Sequence, residues 1–149
     1  MRRAGDKPIS VDPASAEFLR EVGARKFLAW TKGAAILFPS EEEAAVLAGS
    51  SDPETQCIRL AKHYPLVVIK RGASGAEAAQ GEHRWRIEAA KAEPVDTTGA
   101  GDAFVAGFIA ALLSGADIPV ALGGAAAAGA IASTIVGGQP GRSSVHPDR

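Results

Sequence analysis

The stretch PLVVIKRG, from Pro65 to Gly72, constrains the architecture of this chain more than any other. Leu66 to Ile69 are apolar without a break. A strand that is half in water alternates apolar with polar residues, so an uninterrupted run marks a strand covered on both faces. Shorter segments of the same kind precede it, PISVD at Pro8–Asp12 and AAILFPS at Ala34–Ser40. Helical patterns lie between them. Phe18, Leu19, Val22, Phe27, Leu28 and Trp30 recur at helical spacing with a break near Gly23, which predicts two short helices. SEEEAAVLAG predicts a helix opened by a capping box, Ser40 with Glu43 three residues on, and closed by Gly49. Asp52-Pro53 opens another that runs to about His63. The alternation predicts an α/β fold: a parallel sheet with helices layered over it. Beyond it, GAEAAQGEHRWRIEAA alternates around Gly81 as a hairpin does. Two longer helices are expected at about 101–113 and 119–136, and the tail GGQPGRSSVHPDR reads as loop.

At 149 residues the chain is the size of one domain, and residues 1–149 are read as one. A net charge of −1 with no basic tract argues against nucleic acid or a membrane surface as a partner. Asp117 and Arg142 bound a stretch without charge that is long enough to span a bilayer, but Ala and Gly dominate it, so it reads as a tightly packed helix of a soluble protein. The start MRRAGDKPIS has no apolar core of the kind a signal peptide needs. The single cysteine, Cys57, permits neither an intrachain disulfide nor a CxxC metal site, and a reducing cytoplasmic setting is expected. His63, His83 and His146 show no ligand spacing, and Lys70 and Arg71, near a phosphate site, either touch phosphate or form a solvated strand end, the second reading being favoured.

The chemistry concentrates in DTTGAGD, Asp96 to Asp102, which runs directly into a helical apolar pattern of Phe104, Val105, Phe108, Ile109, Leu112 and Leu113. The first amides of a helix lack internal partners, and the helix dipole is positive there. Glycines let an anion approach the backbone, so Gly99, Ala100 and Gly101 form a candidate phosphate cradle. A carboxylate in that first turn gains nothing from phosphate by charge. Asp102 therefore either complements its own helix dipole or takes a proton from an attacking hydroxyl. Neither a Walker A pattern nor a full GxGxxG fingerprint is present.

The string DTTGAGDAFVAGF closely resembles the C-terminal signature of the PfkB, or ribokinase-like, family of carbohydrate kinases, matching from Asp96 to Ile109. LFPSEEEAAVLAG resembles that family's strand and Asn-x-x-Glu helix, VVIKRGASGA its strand with Gly-x-x-Gly at Gly72 and Gly75, and AIASTIVGGQPG its closing helix and loop. The resemblance implies a three-layer αβα, Rossmann-like fold and ATP-dependent phosphoryl transfer to a sugar or nucleoside hydroxyl. Asp102 would be the base, and Gly99, Ala100 and Gly101 the anion hole. Gly72, Gly75 and Thr98 would line the nucleotide, and Glu43 would help hold Mg²⁺ through water. In potassium-activated relatives the first Asp and second Thr of the loop hold the ion, here Asp96 and Thr98, with carbonyls near Ser133 and Gly137. Ser40 stands where the family has Asn, so the capping box and the metal role remain alternatives for Ser40 and Glu43. Gly141 stands where some potassium-activated relatives have serine.

Members of that family are about twice as long, and their N-terminal half carries the lid and the sugar-gripping residues. The resemblance therefore implies the C-terminal half alone, with the lid and N-terminal strands absent. A dimer, or a partner that covers the exposed edge, is expected. The other reading of the same residues is a noncatalytic nucleotide-binding or assembly module.

Overall fold

A computed structural model describes residues 7–91, 93 and 95–135. The expected order of elements is present. Strand β1 (Ser10–Val11) leads into α1 (Ala16–Val22) and α2 (Ala24–Trp30), then β2 (Ile36–Leu37), α3 (Glu41–Ala48), α4 (Pro53–Leu60) and β3 (Leu66–Lys70). The hairpin β4 (Ala76–Gln80) and β5 (His83–Ile87) follows, and helices α5 (Ala100–Leu113) and α6 (Ile118–Ser133) close the described chain. The helix end expected at Val136 and the tail expected as loop lie outside the described residues.

Each boundary has a local cause. Gly23, at φ 88°, ends α1 and begins α2, so the break in the apolar pattern is a change of axis at one residue. The capping box is formed: Glu43 N donates to Ser40 Oγ at 3.2 Å, and Ser40 N donates to Glu43 Oε2 at 2.7 Å. Gly49 closes α3 in the left-handed conformation. Asp52 caps α4 and Asp117 caps α6, each accepting from an amide three residues on, with proline in the first turn of both helices.

The five strands lie in sequence order, β1-β2-β3-β4-β5. β1, β2 and β3 are parallel, with Ser10 opposite Ile36 and Ile36 opposite Leu66. The expected hairpin around Gly81 adds two antiparallel strands, so the sheet is mixed. The reason is geometric: the short loop after β3 allows only an antiparallel return.

β3 explains the layering. Val67 and Ile69 join Leu19, Phe27, Leu47, Cys57 and Leu60 in a core beneath α1–α4. Leu66 and Val68 join Phe38, Phe104, Phe108, Leu122 and Ala125 in a second core beneath α5 and α6. The three layers αβα follow from this alternation. Within the second core, Phe108 meets Phe38 edge-on, with ring centroids 5.4 Å apart.

Candidate active site

The first turn of α5 is open. Gly99 caps it at φ 78°, a conformation glycine adopts without penalty, and no side chain among the described residues caps the helix. Ala100 N donates to Thr97 O at 3.1 Å and Ala103 N to Gly99 O at 2.9 Å. The amides of Gly101 and Asp102 find no partner among the described residues. The loop before the helix is braced: Thr98 N donates to Asp96 Oδ1 at 2.8 Å, and Val95 N and Asp96 N both donate to Ser133 O at the end of α6. Two donors thus stand in a fixed frame at the positive end of a helix of 14 residues.

Across from this mouth, the chain leaving β3 makes a single 3₁₀ turn, Gly72–Ser74. Arg71 N donates to Gly75 O and Gly75 N to Gly72 O, so the turn closes on itself. A Cβ on Gly75 would stand 2.0 Å from Ile87 O, which lets the chain leaving β5 cross directly over the turn. Gly72, Gly75, Ala89, Ala100, Gly101 and Gly129 are among the residues that enclose a cavity of about 590 Å³ between these walls. Its far side is α6, which approaches closely because Gly129 leaves only 3.1 Å between a notional Cβ and Ala100 O.

The structure brings together four of the residues singled out from sequence, Gly72, Gly75, Ala100 and Gly101, with Gly99 as the adjoining cap. Asp102 is exposed, does not line the cavity, and its carboxylate has no partner among the described residues. One helical step of about 100° from Gly101 accounts for this: Asp102 faces a different direction from the cavity wall. Thr98 is turned out on the bracing loop, and its neighbour Thr97 lines the cavity instead. Glu43 is 6% exposed, its carboxylate engaged in its own helix cap, and it lines no part of this cavity. The Ser133 carbonyl, expected near potassium, already accepts two amides. Gly137 and Gly141 lie outside the described residues.

The reading of Lys70 and Arg71 as a solvated strand end is overturned. Their side chains are 17% and 3% exposed. The β3 alternation sends them to opposite faces, and that signal was available in the sequence. Arg71 continues the Val67 and Ile69 face. Its Nη1 donates to Gln56 Oε1 at 3.1 Å, and its Nε donates to Glu77 Oε2 at 2.5 Å. Lys70 continues the Leu66 and Val68 face and lines the cavity. Its Nζ donates to Asp12 Oδ2 at 2.5 Å, and Asp12, just beyond β1, is a contact that sequence reasoning missed.

The model of the pfkB family of carbohydrate kinases matches residues 1–144. The chain is 35% identical to a ribokinase of Bacillus subtilis over 137 residues, 91% of this chain and 43% of that protein. A probable sugar kinase from Rhizobium etli CFN 42 superposes with a TM-score of 0.86 at 25% identity, over 91% of this chain and 42% of that one. A putative ribokinase II from E. coli, in complex with ATP and Mg²⁺, superposes with a TM-score of 0.79 at 34% identity, over 88% and 44%. The chain thus spans less than half the length of each of these relatives.

Proposed function

Because the chain belongs to the pfkB family of carbohydrate kinases, we propose that it forms the nucleotide side of an ATP-dependent kinase acting on a hydroxyl of a sugar or related small molecule. The observation that carries the reading is the open mouth of α5: two amides and a carboxylate in one turn that have no partner among the described residues.

In this reading the nucleotide occupies the cavity between the Gly72–Gly75 turn and α5–α6, with its terminal phosphates at the amides of Gly101 and Asp102. Asp102 takes the proton of the acceptor hydroxyl. The O–H bond breaks as that oxygen bonds the γ-phosphorus, the bond from phosphorus to the bridging oxygen breaks, and ADP leaves. Phosphoryl transfer asks mainly for alignment and charge stabilisation, and fixed backbone donors supply both. Asp102 faces away from the cavity, which fits an acceptor that arrives from another side than the nucleotide.

Mg²⁺ would neutralise phosphate charge as it does in phosphoryl transfer generally. Among the described residues no three His, Cys, Asp or Glu side chains converge as a metal centre. That suits an ion that comes with the phosphates and keeps most of its water. Glu43 would act on it through water, its carboxylate remaining on the Ser40 amide. Residues 1–149 act together as one C-terminal nucleotide-binding part, and cytoplasmic ATP is the phosphoryl source.

The test is a transfer assay with ATP over a panel of sugars and nucleosides, on the wild type and Asp102→Asn. A general base contributes roughly 10²- to 10⁴-fold, so the variant should lose turnover by that factor and keep its affinity for ATP. Undiminished turnover in the variant contradicts the assignment of the base. Tight ATP binding by a wild type that transfers to no acceptor favours the noncatalytic module.

A further inference from the structure

The peptide that joins Ala100 to Gly101 has one end in the α5 mouth and the other against α6. Its N–H is that of Gly101, one of the two amides that find no partner among the described residues. Its C=O is that of Ala100, and a notional Cβ on Gly129 would stand 3.1 Å from that oxygen. A peptide is a rigid plane, so the carbonyl cannot shift without turning the amide. Gly129 lies inside α6, where glycine is less favourable than alanine, and it lines the cavity. One turn further along, the Ser133 carbonyl accepts Val95 N at 2.9 Å and Asp96 N at 3.0 Å, which fixes the loop that leads into α5. Residues at this spacing share a helix face. That face of α6 therefore holds the α5 mouth at two points, the loop before it and the first peptide within it. The other tight glycine of this helix pair, Gly107, bears on Ala128 Cβ, about two turns away from the mouth.

We propose that Gly129 is a positioning residue for phosphate binding. By lacking a side chain it seats α6 against the Ala100 carbonyl and so sets the aim of the Gly101 N–H, while the Ser133 carbonyl on the same face holds the approach to the helix. The proposal rests on the kinase reading above and assigns the aim of a phosphate-binding amide to a helix outside the DTTGAGD loop. A methyl at position 129 forces the Ala100 carbonyl to give by a few tenths of an ångström. The peptide plane then tilts, and the amide at its other end loses alignment with the anion, to which a hydrogen bond is sensitive.

Calorimetric titration of Gly129→Ala and Gly107→Ala with ATP, ADP and AMP tests this, beside the ¹⁵N amide spectrum of each variant without nucleotide. Gly129→Ala should shift the Gly101 amide in the free protein and weaken ATP and ADP roughly 3- to 10-fold, with AMP hardly changed. Its melt should move little, because the preference for alanine in a helix interior offsets the tight contact. Gly107→Ala should leave the ratio of ATP to AMP affinity as it is in the wild type. A second readout needs no variant and decides the matter where Gly129→Ala does not fold. Tripolyphosphate added to the wild type should slow hydrogen exchange several-fold at Val95 and Asp96, which are held by Ser133 and do not line the cavity. Unchanged ATP affinity in Gly129→Ala overturns the proposal, as does an equal loss for the three nucleotides, which would mean that the methyl only obstructs the cavity. The same ATP-selective loss in Gly107→Ala overturns it too, and so does exchange at Val95 and Asp96 that ignores tripolyphosphate. A wild type that binds none of the three nucleotides overturns the kinase reading itself, a result distinct from these.

Discussion

At Gly75 a hydrogen is the largest substituent the backbone tolerates. Its φ is 88°, and a Cβ would meet Ile87 O, Glu88 C and Ala89 N at 2.0, 2.8 and 2.9 Å. All three are main-chain atoms, so no side-chain rotation relieves the clash. Gly75→Ala should cost about 3 kcal/mol or more and lower the denaturation midpoint accordingly. A melt unchanged from wild type would show that the crossing of β5 over the turn is wrong. The glycine itself was legible in the sequence, but its reason was not. It was read as making room for a nucleotide, whereas its immediate neighbour is another strand's exit, and the cavity wall is a consequence. Lys70 and Arg71 show the same gap from the other side. The period-2 alternation of β3 was legible and separates one onto the α5 face and the other onto the opposite face, but the Gln56 and Glu77 partners that bury Arg71 come from distant elements and were not.

Among the elements, α5 and α6 carry the site, and their contact is built from small residues. A Cβ on Gly107 would stand 3.0 Å from Ala128 Cβ and 3.3 Å from Ala125 Cα and Gly124 O. Gly123, in the same pair of helices, has nothing within 4 Å of such an atom and is exposed. The two glycines should therefore respond with opposite sign. Gly107→Leu forces the helices apart and should cost about 2 kcal/mol or more. Gly123→Ala should gain roughly 0.5–1 kcal/mol from backbone entropy alone. Chemical denaturation of the two variants checks both values, and a destabilised Gly123→Ala would mean that this face of α6 is covered. Strands, helices and caps were legible because each depends on neighbours within a few residues: the Ser40–Glu43 box, Gly23, Gly49, the Gly81 turn. The mixed sheet was less so, since strand direction depends on how the loop after β3 returns.

On the scale of the whole molecule, a sheet edge and a helix face lie uncovered among the described residues. β1 is an edge strand of two residues. Asp102, Ala106, Ala110 and Leu113 form an exposed stripe along α5, with Leu113 84% exposed. Light scattering should report a dimer or larger species, and a monomer with a cooperative melt would count against that expectation. Titration gives a second global readout. Burial pushes the thiol of Cys57 and the phenol of Tyr64 above their ordinary ranges. The folded state therefore retains these protons after the unfolded chain has begun to lose them. Their contribution is complete below about pH 8.5, where a free thiol starts to ionise, and is lost as pH rises from there. The melting temperature should fall across that window, less steeply for Cys57→Ala, and a flat profile would contradict the burial of both groups.

The mouth of α5 is the feature on which the rest depends, and amide shifts on adding ADP to the ¹⁵N-labelled chain test it most directly. The largest shifts should fall on Gly99, Gly101 and Asp102, with Gly72 and Gly75 on the facing wall. Shifts that leave those amides unmoved and gather instead around Trp85 and Arg84, which line the groove between α4 and the hairpin, would contradict the account.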